Sequence, residues 1–212
     1  MHSVSGTEIW LVRHGQTDMN VQDLVGGQSL ALPINATGIR QSQLLGTRLS
    51  PIVETFDAFF ASTALRTQQT AQNSIGDQDL LLDAALCEQS QGDWEGKRTK
   101  KEVYGRQDVR LALDLDNWNF IPGDEIKGES QVMTARRMQK WVEAAAETYN
   151  GQRVLAFTHG TATKVLLAEI FNWDRHQAYR LPIDNTSITV INYSEDKVDL
   201  VSLNNTDHLK QG

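Results

Sequence analysis

The chain has 212 residues and a formal net charge of −7, with 40% hydrophobic and 22% charged residues and a single cysteine. Such a composition is typical of a globular protein, and an acidic balance argues against general nucleic-acid binding, which needs a basic footprint. One cysteine excludes an intramolecular disulfide and a cysteine-based zinc site. No window approaches the ~20 consecutive apolar residues of a membrane span, and the first residues show no secretory pattern. We therefore expect a protein of the reducing cytoplasm, without membrane or nucleic-acid partners.

Short apolar runs predict the strands. Runs of this kind, rich in β-branched or aromatic residues, are typical of strands buried on both faces of a parallel sheet. Three occur, at 9–12, 58–61 and 154–157. The segment 186–193 alternates and predicts a later strand, with which 198–203 is expected to pair.

Helical periodicity follows each of the three runs. The predicted helices are 37–49, 64–75, 161–171 and, the longest, 129–149. Strands alternating with helices predict an α/β fold, a three-layer sandwich with a mainly parallel central sheet flanked by helices. We expect a single domain over 1–212. The charged segment 94–128, which contains several glycines and a proline, interrupts the rhythm and is interpreted as a small inserted cap over one end of the sheet.

Chemically active residues collect where the predicted strands end. The first run is followed by Arg13 and His14, the second by Arg66, and the third by His159 and Gly160. Because the carboxyl ends of parallel strands form the ligand site of open α/β sheets, these side chains should converge. Arginine offers a rigid fork of donors suited to phosphate, and histidine can act as nucleophile or proton donor. The pattern predicts an anion site that handles phosphoryl groups.

Four ordered motifs carry a family resemblance. The segment 11–20, LVRHGQTDMN, resembles the signature of the histidine phosphatase superfamily, phosphoglycerate-mutase-like branch. The segments 62–71 (STALRTQQTA), 86–96 (LCEQSQGDWEG) and 158–160 (THG) resemble the family's second arginine motif, acidic motif and second histidine motif. The tripeptide 185–187 resembles its late-strand motif. The resemblance covers nearly the whole chain, although Ala64 stands where leucine is usual and Thr161 where glycine is common.

The resemblance implies a role for each position. His14 would be the nucleophile, Glu88 the general acid and base, and His159 a further catalytic residue that holds the phosphoryl group while protonated. The implied phosphate-binding residues are Arg13, Asn20, Arg66 and Gly160. Phosphoryl transfer asks mainly for positioning and charge stabilisation, which two arginines and a cationic histidine supply. No cofactor and no metal ion is implied.

Plainer interpretations exist for several of these residues. Arg13 and Arg66 could be ordinary salt-bridge partners, and Asp93 or Glu95 could take the acid role assigned to Glu88. Cys87 is expected to be a small buried hydrophobe.

Other side chains are predicted from their types alone. The tryptophans Trp94 and Trp118 could pack or line a pocket. The basic run 97–101 could be a solvated helix face or could steer substrate. We expect Trp10 in the core, and His2, His176 and His208 at the surface.

One rival motif points to a different enzyme class. The segment 113–117, LDLDN, faintly resembles the nucleophile loop of magnesium-dependent haloacid-dehalogenase-type phosphatases, but Trp118 follows it where threonine or valine is expected. No P-loop pattern is present, which argues against a nucleotide hydrolase of that kind.

The predicted function is metal-independent hydrolysis of a small phosphorylated metabolite through phosphohistidine at His14. One alternative is a cofactor-dependent phosphoglycerate-type mutase. Mutases of the family carry a longer insertion between Glu88 and His159 than the 71-residue interval found here. A second alternative is a catalytically silent module that binds phosphorylated ligands. The small phosphorylated substrate is the expected partner, and a homodimer is compatible with the sequence.

Overall fold

A computed structural model describes residues 6–194 and 197–211, with the backbone alone at residue 211. Within these ranges one sheet of six strands forms the centre of the molecule. The strands are β1 (Thr7–Arg13), β2 (Ala58–Ala61), β3 (Leu80–Leu82), β4 (Arg153–Thr158), β5 (Ile188–Tyr193) and β6 (Val198–Asn205).

The strand order across the sheet is β3-β2-β4-β1-β5-β6. The pairs β2–β3, β2–β4 and β1–β4 are parallel, whereas β1–β5 and β5–β6 are antiparallel. The predicted α/β class with a mainly parallel sheet is confirmed. Strands β1 and β4 lie at the centre, so the residues that follow them emerge side by side.

Eight α-helices accompany the sheet in the described ranges. They are α1 (Asp18–Val21), α2 (Ala36–Leu49), α3 (Leu65–Ile75), α4 (Lys100–Gly105), α5 (Gln107–Asp114), α6 (Gln131–Thr148), α7 (Gly160–Ile170) and α8 (Arg175–Arg180). Side-chain caps fix several starts: Asn35 accepts from the Gly38 amide before α2, and Ser130 from the Met133 amide before α6.

Helices cover both faces of the sheet. Along β1, Ile9 and Leu11 join one core with residues of α6 and α7, while Val12 joins the opposite core with residues of α2 and α3. This alternation is the period of two expected of a strand covered on both sides. The three-layer arrangement follows from it.

One strand boundary differs from the prediction, and one strand was missed. The late strand begins at Ile188 because Thr186 adopts a positive φ of 58° and turns the chain. The sequence does not predict β3, since three leucines give no periodicity to recognise.

Two predictions of burial are wrong. Trp10, expected in the core, is only partly buried, and His208, expected at the surface, is buried with 4% exposure. His2 lies outside the described residues.

The segment 94–128 contains α4 and α5 and has its own small core. Trp94, Val103 and Val109 pack with Val25 from the loop after α1, apart from the two cores of the sheet. Its treatment as an inserted cap, within a single domain, stays a prediction. No helix in the described part of the chain is long and apolar enough to cross a bilayer.

Candidate active site

The predicted site forms at the carboxyl ends of β1, β2 and β4. His14 follows the last residue of β1, and its amide continues the ladder by donating to the Thr158 carbonyl, 3.0 Å away. His159 is the N-cap of α7, and Arg66 lies in the first turn of α3. The topology therefore brings Arg13, His14, Arg66 and His159 to one edge of the sheet.

The two imidazole rings are neighbours. Their centroids are 5.2 Å apart, with the planes inclined at 60°. The Nδ1 atom of His14 lies 2.7 Å from the Gly15 carbonyl oxygen. Because a carbonyl only accepts, Nδ1 carries the hydrogen and the neutral ring keeps a lone pair on Nε2. The Nε2 atom of His159 is 2.8 Å from the Ser62 hydroxyl.

Burial and nearby positive charge act on both histidines. Burial, followed by the charges of Arg66 and Arg13, lowers the pKa of His14 well below its ordinary value. Burial and then Arg66 likewise lower the pKa of His159. The free site therefore holds two neutral rings at neutral pH. The protonated His159 that the resemblance implies concerns the site with a phosphoryl group bound, and it stays a prediction.

Both arginines are held by backbone carbonyls. Arg66 donates to the oxygens of Ser29 (2.7 Å) and Gly27 (2.8 Å), and Arg13 donates to Ile183 (2.5 Å). Neither forms an ion pair within 4.0 Å in the described residues. The plain salt-bridge interpretation is thus not supported, and their charge stays available to an anion.

The Arg13 side chain lies against the start of α7. A Cβ atom at Gly160 would stand at van der Waals distance, 3.4 Å, from Arg13 Nε, and that nitrogen is buried without a hydrogen-bond partner among the described residues. An unpaired buried donor beside a helix N-terminus is well placed to receive an anionic oxygen.

Glu88 is anchored to the beginning of α7. Its carboxylate accepts from the amides of Thr161 (3.0 Å), Ala162 (2.8 Å) and Gln89 (2.9 Å). These bonds fix its orientation directly beside the helix that His159 begins.

The ion pair between Arg137 and Glu129 forms a brace that holds the loop around Glu88. Arg137 of α6 forms a two-point ion pair with Glu129 (3.0 and 2.8 Å) and donates to the carbonyls of Ala85 (2.7 Å) and Cys87 (3.0 Å). Gln28 donates to the Glu88 carbonyl at 2.9 Å. No local sequence pattern predicts this brace, because Arg137 lies 52 and 50 residues from Ala85 and Cys87 along the chain.

The two competing acids are engaged elsewhere. Glu95 accepts from the amides of Gln28 (3.0 Å) and Gln91 (2.8 Å), which ties two loops together. Asp93 accepts from the Asp124 amide at 2.7 Å. Glu88 lines the central cavity, and neither competitor does.

Asn20 lies beside the site in a small polar network. Its carboxamide oxygen accepts from the Thr17 amide (3.0 Å) and from Asn185 Nδ2 (3.4 Å), and the Asn185 amide also donates to the His14 carbonyl at 2.9 Å. The sequence predicts Asn185 only as part of a motif, and the structure shows that it supports the backbone of His14.

A cavity of about 360 Å³ opens above these residues. Its floor includes Arg13, His14, Asn20, Arg66, Glu88 and Gly160. His159 is fully buried behind this floor and is not part of the lining. Trp94 and Trp118 are buried and also line the cavity, so the structure agrees with both interpretations, packing and pocket lining.

The basic run 97–101 and the rival motif 113–117 lie near the cavity, and their side chains have different surroundings. In the basic run, Lys97 and Lys101 are exposed, Arg98 pairs with Asp124 at 2.9 Å, and Lys100 lines the cavity. In the rival motif, Asp114 is exposed at the end of α5. The partner it would need, Asp116, faces the exposed His176 at 3.7 Å.

A sheet edge that gathers two histidines and two arginines around a cavity defines an α/β protein with an anion site of the phosphoryl-handling kind. The model of the "Histidine phosphatase superfamily (branch 1)" matches residues 9–206, and the chain belongs to this superfamily.

Relatives match over most of their length. The adenosylcobalamin/alpha-ribazole phosphatase of Escherichia coli is 26% identical, covering 92% of this chain and 95% of its own. A probable phosphoglycerate mutase GpmB of Escherichia fergusonii is 30% identical, covering 90% and 86%. A mutant phosphoserine phosphatase of Entamoeba histolytica with bound phosphoserine has the same fold, with a TM-score of 0.84 at 23% identity over 96% and 99% of the two chains.

Proposed function

We propose that the protein hydrolyses small phosphomonoesters through a phosphohistidine at His14. The observation that carries this is the His14 ring, whose Nδ1 donates to the Gly15 carbonyl while burial and the charges of Arg66 and Arg13 keep the ring neutral. A neutral imidazole with its Nε2 lone pair free is the form that can attack phosphorus. The superfamily membership of the chain supports the same chemistry.

In the first step, His14 Nε2 forms a bond to phosphorus as the bond from phosphorus to the ester oxygen breaks. Glu88 gives its proton to the departing oxygen, so that an alcohol leaves. Arg13, Arg66 and the Gly160 amide at the start of α7 stabilise the charge on the remaining phosphoryl oxygens. Asn20 adds a hydrogen bond, and His159, once protonated by uptake from solvent, adds a charge-assisted one.

In the second step, water attacks phosphorus and the bond to His14 breaks. Glu88 accepts the proton of that water, and inorganic phosphate leaves. Both steps use the same carboxylate in opposite protonation states, as microscopic reversibility requires. The positive charge that a metal ion would supply in other phosphatases comes here from the two arginines, and no cofactor is needed.

The cavity supports a small metabolite as substrate. Its volume of about 360 Å³ is at the lower end of small-molecule sites. Relatives are named for alpha-ribazole phosphate and phosphoserine chemistry. A polypeptide or polynucleotide substrate would need a longer open groove.

A mutase is the second candidate, favoured by the 30% identity to a probable phosphoglycerate mutase. The two functions differ in the fate of the phosphoryl group, which a mutase returns to the sugar acid and a phosphatase gives to water. Incubation with 3-phosphoglycerate, with and without 2,3-bisphosphoglycerate, separates them. We expect inorganic phosphate and no 2-phosphoglycerate.

Rapid acid-free quench with radiolabelled substrate tests the proposal directly. Phosphohistidine is stable to alkali and labile to acid, so the wild type should hold alkali-stable label. His14→Ala should lose both label and turnover, while His176→Gln, which changes an exposed histidine of the cavity, should keep them. Turnover by His14→Ala would overturn the assignment. Ligand binding without turnover in the wild type would support the silent module instead.

A further inference from the structure

Lys164 places a positive charge in the cavity outside the phosphoryl site. It lies in the second turn of α7, four residues after Gly160, and lines the same cavity. Residues four apart share a helix face, with Cβ atoms about 5–6 Å apart. Its backbone therefore lies roughly one helical turn from Gly160, beside which the scissile phosphate would bind.

Two other basic side chains of the cavity wall already have acidic neighbours. Lys100 pairs with Asp23 at 3.1 Å, and His176 faces Asp116 at 3.7 Å. Lys164 Nζ donates to the Tyr179 carbonyl oxygen at 3.0 Å, and no carboxylate lies within 4.0 Å of it in the described residues. A partly buried ammonium with only a neutral acceptor is incompletely compensated, and an anion would complete it.

A tyrosine pair stands next to this lysine. The hydroxyls of Tyr104 and Tyr179 are 2.5 Å apart, and Lys164 Nζ lies 5.4 Å from the centre of the Tyr179 ring. Two hydroxyls that share one hydrogen bond leave one O–H group to donate elsewhere. The ammonium and this hydroxyl together offer the donors that a carboxylate or phosphate accepts.

We propose that Lys164 binds a second anionic group, carried by the leaving group of the substrate. The preferred substrates are then phosphomonoesters whose leaving group carries a carboxylate or another phosphate that reaches the part of the cavity wall lined by Lys164. This deepens the proposed function and rests on it. Neutral or purely apolar leaving groups would fill the cavity but leave Lys164 unpaired.

Matched substrate pairs test this. Glycerol 3-phosphate differs from 3-phosphoglycerate in lacking the carboxylate, and fructose 6-phosphate differs from fructose 1,6-bisphosphate in lacking the second phosphate. The measured quantity is the ratio of kcat/KM within each pair. For the wild type, this ratio should favour the member with the second anionic group in at least one pair. If the favoured substrate is 3-phosphoglycerate, Lys164 binds a carboxylate; if it is fructose 1,6-bisphosphate, Lys164 binds a phosphate.

Lys164→Gln should reduce that ratio by roughly 10- to 150-fold, the range of one charge-assisted hydrogen bond. Lys164→Arg keeps the charge and should restore most of the preference. Lys100→Gln is the matched control, because it removes a lysine of the same cavity that already has an acidic partner. Its ratio should stay within about twofold of the wild-type value.

A ratio that is unchanged in Lys164→Gln, or that falls in Lys100→Gln instead, would overturn the proposal. So would a wild type that prefers the neutral member of both pairs. Calorimetric binding of the same pairs to His14→Ala gives a readout without turnover. Failure of the proposed function would appear separately, as the absence of His14-dependent hydrolysis of p-nitrophenyl phosphate.

Discussion

The rings of His14 and His159 lie 5.2 Å apart, centroid to centroid, and the positive charges of Arg66 and Arg13 act on both. This arrangement couples the charge of a ligand to the protonation of the histidines. With the pKa of both rings lowered by burial and by Arg66, neither ring carries a positive charge at neutral pH. A bound dianion adds the opposite charge and raises the pKa of its histidine neighbours.

Binding of sulfate should therefore take up protons. Sulfate does not titrate near neutrality, so uptake of up to about one proton reports the protein alone. The measurement is calorimetry at pH 7 in buffers of different ionisation enthalpy, in which the slope of the observed enthalpy gives the proton count. Affinity for sulfate should fall as the pH rises, because the protonated site binds it best.

His159→Gln should flatten the slope of the observed binding enthalpy against the ionisation enthalpy of the buffer. His176→Gln, at an exposed histidine of the cavity, should leave this slope unchanged. A wild-type enthalpy that does not depend on the buffer would show that the rings stay neutral when the anion binds. In that case the phosphoryl group would be held by the arginines and by neutral hydrogen bonds.

Glu88→Gln should lower kcat/KM by about 10²–10⁴-fold for alkyl phosphates and much less for p-nitrophenyl phosphate. An alkoxide leaves badly without a proton, whereas a nitrophenolate leaves without help. Glu95→Gln is the matched control, since its carboxylate ties two loops and does not reach the cavity. An equal loss on both substrates for Glu88→Gln would make it a binding residue and not the acid.

The fold was largely predictable because β1, β2 and β4 are largely buried on both faces and appear in the sequence as apolar runs. The grouping of Arg13, His14, Arg66 and His159 was also predictable, since each lies at or soon after the end of a strand and parallel topology brings strand ends together. What could not be predicted depends on contacts between distant segments. Packing of α6, α7 and the end of the chain sets the Arg137–Glu129 brace, the burial of His208 and the position of Lys164 in the cavity wall. No local sequence pattern predicts these three features.

Arg137 is predicted to act through Glu88 as a positioning residue. Arg137→Gln removes the donors to the Ala85 and Cys87 carbonyls and the two-point pair with Glu129. We expect a fall in kcat of roughly 10-fold or more for alkyl phosphates, with the same leaving-group dependence as Glu88→Gln but smaller. Arg136→Gln, at the exposed neighbouring position of α6, is the control. A loss confined to thermal stability, with kcat unchanged on both substrates, would leave Arg137 with a structural role alone.

Removal of divalent cations should leave activity intact. No group of three or more histidine, cysteine, aspartate or glutamate side chains is arranged to hold a metal ion in the part of the chain that the structure describes. The measurement is turnover after EDTA treatment and dialysis, against a parallel sample with magnesium restored. Activity that vanishes in EDTA and returns with magnesium would direct attention to Asp114 and Asp116.

His208 should make the protein sensitive to acid. Thr186 donates its hydroxyl hydrogen to the Asn185 carbonyl at 2.7 Å, so at 3.0 Å it accepts from His208 Nε2. This bond supports the turn at Thr186 from which Asn185 reaches the His14 carbonyl. Burial, and then the charge of Arg48 on α2, lower the pKa of His208 to about 4, with Asp207 opposing.

The sign follows from the protons bound by each state. Between pH 6.5, the ordinary pKa of histidine, and about 4, the unfolded chain binds a proton at His208 that the folded chain does not. The free energy of unfolding should therefore be intact above pH 6.5 and should decrease as the pH falls through this window, by at most about 1.4 kcal/mol per pH unit for one site.

His208→Gln keeps a side-chain N–H donor for Thr186 and removes the titration, so its curve of unfolding free energy against pH should be shallower. Urea unfolding followed by tryptophan fluorescence at pH 4.5, 5.5, 6.5 and 7.5 measures both curves, with the exposed His176→Gln as control. Residual slope in His208→Gln is expected from His14 and His159, whose pKa is lowered in the same direction. Parallel curves for wild type and His208→Gln would show that His208 takes up its proton without cost to the fold.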